Sequence, residues 1–99
     1  MNLFIKILVY ELQESGLNVK SELLLPVKYN DKLFDINFRI DILVEDKVIL
    51  ELKSVKSIED IHYKQLYTYL KLSDKKLGLL VNFNTTNILN SIKRVVNNL

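Results

Sequence analysis

At 99 residues the chain is long enough for one hydrophobic core and too short for a second, so a single domain over residues 1–99 is expected. With 48% hydrophobic and 26% charged residues, two glycines and one proline, the composition excludes a disordered or low-complexity chain. The net charge of +2 permits a nucleic-acid partner without demanding one, while the absence of cysteine and the single histidine exclude disulfides, thiolate sites and a His-rich zinc centre.

Any metal would therefore need oxygen ligands. Met1 to Val9 is apolar but short, contains Lys6, runs into Glu11 and lacks a small-residue cleavage site, which makes it a poor signal peptide. No segment approaches the roughly 20 apolar residues of a membrane span. The expectation is a soluble, cytoplasmic protein with no membrane partner.

Leu3, Ile7, Leu8, Glu11 and Leu12 fall at helical spacing, and Gly16 is a plausible stop, so the first element is predicted as an amphipathic helix from about Asn2 to Ser15. From Leu17 the period changes to two. Leu17, Val19, Leu23, Leu25, Val27 and Tyr29 alternate with mostly polar residues, the pattern of a strand buried on one face, and Pro26 places it at an edge or bulge. After the turn Asn30-Asp31-Lys32 a second strand puts Phe34, Ile36, Phe38, Ile40, Ile42 and Val44 on one side. Asp35, Asn37, Arg39 and Asp41 take the other.

Glu45-Asp46-Lys47 makes a tight connection to a third strand, Val48 to Ser54, with Val48, Leu50 and Leu52 on the apolar side and Glu51 and Lys53 opposite. Ser57 and Asp60 resemble a capping box for a helix from Ile58 to Leu72, whose predicted buried residues are Ile58, Ile61, Leu66 and Leu70. The unalternating run Gly78 to Phe83 reads as a strand covered on both faces, joined to the third strand by a βαβ crossover and hence parallel to it. A last helix is predicted from Ile88 to Asn97. The order is αβββαβα, an α/β fold with a mixed sheet flanked by helices.

A three-residue loop pairs Val44 with Val48 and sets Asp41 opposite Glu51. Like charges directly across a strand pair are destabilising, and a divalent cation between them reverses the sign of the interaction. Oxygen-only coordination suits Mg²⁺ or Mn²⁺. Lys53, two residues beyond Glu51, lies on the same face, where its ammonium can orient a water near a phosphate. These are the parts phosphodiester hydrolysis needs. The plainer alternative is a solvated strand face with diagonal pairs, Asp41 with Lys53 and Arg39 with Glu51. On the following helix Gln65 and Tyr69 are four apart and share a face, as support for the lysine or as ordinary packing. His62 reads as a surface residue, and Tyr63 and Tyr67 as core or interface aromatics.

The ordered series formed by Arg39-Ile40-Asp41, Glu51-Leu52-Lys53 and Gln65-Leu66-Tyr67-Thr68-Tyr69 resembles the PD-(D/E)xK nuclease superfamily with its QxxxY helix. More narrowly, with Tyr10-Glu11-Leu12, Gly16-Leu17, Leu25-Pro26-Val27, Leu77 to Phe83 and Lys93-Arg94-Val95 added, it is similar to the small GxxExxY proteins. The resemblance implies a restriction-endonuclease-like core and a Mg²⁺-dependent nuclease acting on DNA or RNA. Asp41 and Glu51 would be metal ligands, Lys53 the water-orienting cation, and Gln65 and Tyr69 its supports. One departure is visible: matching Glu11-Leu12 to the family puts Phe4 at the tyrosine of the naming motif and Met1 at its glutamate, with no counterpart to the glycine. The expectation is a site short of one first-helix ligand and an activity impaired by the shortened helix.

Two other functions compete with the nuclease. One is a non-catalytic relic that binds nucleic acid through Lys71, Lys75, Lys76, Lys93 and Arg94. The other is an interaction module that forms a homodimer through an open sheet edge or the tyrosine-bearing helix.

Overall fold

The computed structural model of the chain describes residues 2–98. Its elements are helix α1 (Asn2–Glu14), strands β1 (Val19–Tyr29), β2 (Lys32–Val44) and β3 (Val48–Lys53), helix α2 (Asp60–Ser73), and strands β4 (Leu77–Asn82) and β5 (Lys93–Val96). They build a mixed five-stranded sheet in the order β1-β2-β3-β4-β5. Only β3 and β4 are parallel, joined through α2 as the crossover rule requires. This is the α/β architecture expected, compatible with a restriction-endonuclease-like core.

Helix α1 ends as the sequence indicated. Gly16 adopts φ +87°, its N–H bonds to the Gln13 carbonyl at 2.9 Å, and the Leu17 N–H reaches back to Leu12 at 3.2 Å. This is a Schellman closure, and only glycine enters that conformation without cost. The buried stripe differs from the one predicted. Ile5, Leu8, Val9 and Leu12 face the sheet, whereas Leu3 and Ile7 are exposed. The predicted stripe mixed two apolar faces of one helix.

Two apolar layers cover the sheet. On the α1 side Ile5 packs with Ile42, Val44, Leu50, Leu52 and Val81. On the α2 side Leu66 and Leu70 pack with Ile40, Leu43, Ile49, Leu80 and Val95. The face carrying Glu51 and Lys53 is therefore a helix-covered interior. Each fully buried leucine of α2 contributes roughly 2–3 kcal/mol by burial.

The β1–β2 hairpin crosses from one layer to the other. Val19, Ile42 and Val44 lie with α1, but Leu23, Leu25, Phe38 and Ile40 lie with α2. The change of face falls between the pairs Ser21↔Ile42 and Leu23↔Ile40, where Glu22 takes φ 50°. Beyond the crossing Phe34 and Ile36 are exposed rather than inward. Pro26 sits on the edge strand beside a register shift, as its missing N–H predicts.

Helix α2 begins later than expected. Its N-cap is Glu59, not Ser57, and the capping box is closed by His62, whose Nδ1 accepts from the Glu59 N–H at 2.9 Å. Ile61 is exposed, while Ile58 and Tyr63 pack against the core. Leu66 is seated over Gly78, where an added Cβ would stand 2.9 Å from the leucine side chain. Since Leu66 is fully buried and cannot swing away, Gly78→Ala is expected to lower stability by about 1–3 kcal/mol in urea denaturation.

The predicted final helix is not one. A single 3₁₀ turn, Leu89–Ser91, leads into β5, which pairs antiparallel to β4. Apolar spacing suited either structure, but β-branched Val95 and Val96 favour a strand, and pairing satisfies the edge of β4. Val95 enters the core while Lys93, Arg94 and Val96 stay exposed. No helix among the described residues is long and apolar enough to cross a membrane.

Candidate active site

Antiparallel pairing of β2 with β3 runs through Val44↔Val48, Leu43↔Ile49 and Ile42↔Leu50 and stops there. Asp41 would be next, opposite Glu51. Instead its carboxylate enters the opening between the strands, with Oδ2 accepting from the Leu52 N–H at 2.8 Å. The same residue marks the crossing of the β1–β2 hairpin, so the backbone break that splays the strands also frees the carboxylate. Arg39 is drawn away from this opening by its ion pair with Glu22 at 2.9 Å.

Glu51 is only 5% exposed, and among the described residues its Oε1 has no hydrogen-bond partner. Its carboxyl is pushed up from 4.5 to about 9, first by burial, then by the charge of Asp41 and a hydrogen bond shared with it. Lys53 and the Asp41 backbone pull in the other direction without compensating. A buried acceptor left unpaired beside another carboxylate is costly unless a proton or cation joins it.

Lys53 ends β3. Its Nζ donates to Gln65 Oε1 at 2.8 Å, and Gln65 Nε2 donates to Tyr69 Oη at 3.2 Å. Tyr69 is held from its other side by stacking on Phe38, with ring centroids 4.9 Å apart. Burial, and then the nearby Glu51 charge, raises the Tyr69 phenol above its ordinary value, so it stays protonated. Leu66, seated over Gly78, fixes the rotation of α2 that brings Gln65 to Lys53. The diagonal pairs Asp41 with Lys53 and Arg39 with Glu51 do not form; the salt bridges among the described residues are Arg39 with Glu22 and Lys75 with Asp46.

All five residues singled out in the sequence thus lie around one end of β3: Asp41 and Glu51 as facing carboxylates, and Lys53, Gln65 and Tyr69 as a hydrogen-bonded chain. Asn82 was not singled out, though it braces this end. It is buried, its Nδ2 donates to the Val55 carbonyl at 2.8 Å, and its Oδ1 accepts from the Val55 N–H at 3.1 Å. Phe38 was assigned only to the core. A polar residue closing an apolar strand was the available signal for Asn82; nothing local marked Phe38. His62 serves the helix cap. Met1, which falls at the glutamate of the naming motif, lies outside the described residues.

The donor set suits a hard divalent cation: two carboxylates, one with a buried free oxygen, and no cysteine anywhere in the chain. Among the described residues no group of three or more Asp, Glu, His or Cys side chains converges, so water and substrate oxygens would complete the coordination, as Mg²⁺ commonly allows.

A mixed sheet that splays beside an aspartate, with Glu-x-Lys on the next strand, defines a nuclease-like core. The chain belongs to the PD-(D/E)XK nuclease superfamily, which it matches over residues 2–95. No curated protein matches it. Among solved structures it is similar in fold to one titled "Crystal structure of SSO0001", with a TM-score of 0.69 and 23% identity over 99% of this chain. It spans 50% of the length of that chain.

Proposed function

We propose that residues 1–99 form one nuclease-like domain that hydrolyses phosphodiester bonds of DNA or RNA with Mg²⁺ or Mn²⁺ bound by Asp41 and Glu51. The observation that carries this reading is the buried, unpartnered Glu51 Oε1 facing Asp41. The cation would neutralise charge developing on the phosphate and lower the pKa of an attacking water. Among the described residues Lys53 has no ion pair, and its ammonium is aimed by Gln65, so it can orient that water or meet the phosphate. Tyr69 holds Gln65 and, remaining protonated, adds no negative charge to the site.

The ordered motifs from Tyr10 to Val95 support placement among GxxExxY proteins. The residues invoked for a non-catalytic binding module fall in two places: Lys71, Lys75 and Lys76 lie where α2 turns into β4, whereas Arg94 and Lys93 pair with Leu79 and Leu80 further along that strand. Incubation with mixed single- and double-stranded DNA and RNA tests the proposal. Cleavage that requires Mg²⁺ or Mn²⁺ and disappears in Lys53→Ala is expected; cleavage unaffected by chelation or by the substitution would refute it.

A further inference from the structure

Helix α1 has two apolar faces. Ile5, Leu8, Val9 and Leu12 cover the sheet, and at 100° per residue the row Leu3, Ile7 and Tyr10 points roughly 180° away from them. These three residues are 66%, 52% and 60% exposed. Their spacing of four and then three is that of a coiled-coil seam, with Leu3 and Tyr10 at d positions and Ile7 at a. Phe4, on the flank, is already occupied by stacking on Phe83, with centroids 4.6 Å apart.

The charges beside the seam specify a partner. Lys6 falls at g and Glu11 at the following e, five residues later. In a parallel pair each g residue meets the partner's e residue at that offset. Two identical helices side by side would therefore form two Lys6–Glu11 ion pairs. Within one helix these residues point in different directions, and neither is in a salt bridge among the described residues. An antiparallel arrangement brings like flanks together and pairs neither charge. Within a parallel arrangement, β-branched Ile7 at a with Leu3 at d selects two strands over three or four. Because the seam faces away from the sheet, the two bodies would stand on opposite sides of the helix pair without collision.

We infer that α1 is a homodimerisation helix whose Leu3-Ile7-Tyr10 seam docks in parallel on the same seam of a second copy, in register through Lys6 and Glu11. Glu14, at the last a position, opposes this with a like-charge contact at the solvent-exposed helix end. The seam has three apolar residues, against the roughly 20–30 residues a side of a standard interface, so the association expected is weak. The seam lies on the face of α1 turned away from the sheet, and neither inference depends on the other.

Sedimentation velocity on the full chain at low salt, up to roughly 1 mM, tests it in the range expected of a small interface. The wild type is expected to shift towards a dimer. Lys6→Glu and Glu11→Lys should each weaken association about tenfold, and the double reversal should restore it. A wild type that stays monomeric, single reversals without effect, or a double variant that fails to recover would overturn the inference.

Discussion

Glu51→Gln is expected to stabilise the metal-free protein at neutral pH. The folded Glu51 carboxyl sits near 9 against an ordinary value of 4.5, so between these pH values the folded chain holds a proton that the unfolded chain has released. Its contribution to stability is complete below about 4.5, declines as pH rises, and is exhausted near 9, where the folded carboxyl itself ionises. At 1.36 kcal/mol per pH unit, the decline from pH 4.5 to 7 is on the order of 3 kcal/mol. Glutamine keeps the shape of the protonated acid without the titration. Urea denaturation from pH 4.5 to 8 in chelator should show wild-type stability falling and the variant nearly flat. Asp41→Asn should gain less, because burial, the first cause of the Glu51 shift, remains. Parallel pH profiles for wild type and Glu51→Gln would show that the pair carries no such penalty.

Among the three residues of the hydrogen-bonded chain, the largest loss of activity is expected from Lys53→Ala. An ammonium positioned for the transition state acts on kcat more than on KM, and its removal should cost on the order of 10²–10³ in kcat. Gln65 and Tyr69 act through it, so Gln65→Ala and Tyr69→Phe should lose roughly tenfold to a hundredfold, as residues that orient a catalytic shell do. Gln65 donates to the Tyr69 oxygen, and phenylalanine leaves that amide free to rotate while preserving the stack on Phe38. Losses for Tyr69→Phe larger than for Lys53→Ala would invert this order of roles. Single-turnover cleavage by the variants measures the series.

Much of this site was legible because parity and loop length act locally. A three-residue turn fixes the register of β2 and β3, and residues 51 and 53 share a face in any strand. The four-residue spacing of Gln65 and Tyr69 needed only a helix. What escaped was tertiary. The register predicted Asp41 opposite Glu51, but the ladder ends one pair earlier and Asp41 accepts from Leu52 instead. Alternation along β1 and β2 gave no sign that the hairpin changes layer at Glu22. Covering the Glu51 face with α2 turned an apparently open strand surface into a buried one, which is why its carboxyl shifts so far. The last helix was misread for a related reason: Ile88, Leu89, Ile92, Val95 and Val96 fit a helical stripe, and the unpaired edge of β4 decided for a strand.

Thermal denaturation at pH 7 across a Mg²⁺ and Mn²⁺ titration, for wild type and for Asp41→Asn combined with Glu51→Gln, tests the carboxylate pair as a metal site most directly. The wild type should melt at progressively higher temperature as metal is added, gaining about 2.7 kcal/mol at a hundred times the dissociation constant. The double variant should start higher and stay flat. Identical responses from the two proteins, or no response from the wild type, would contradict a metal site at Asp41 and Glu51.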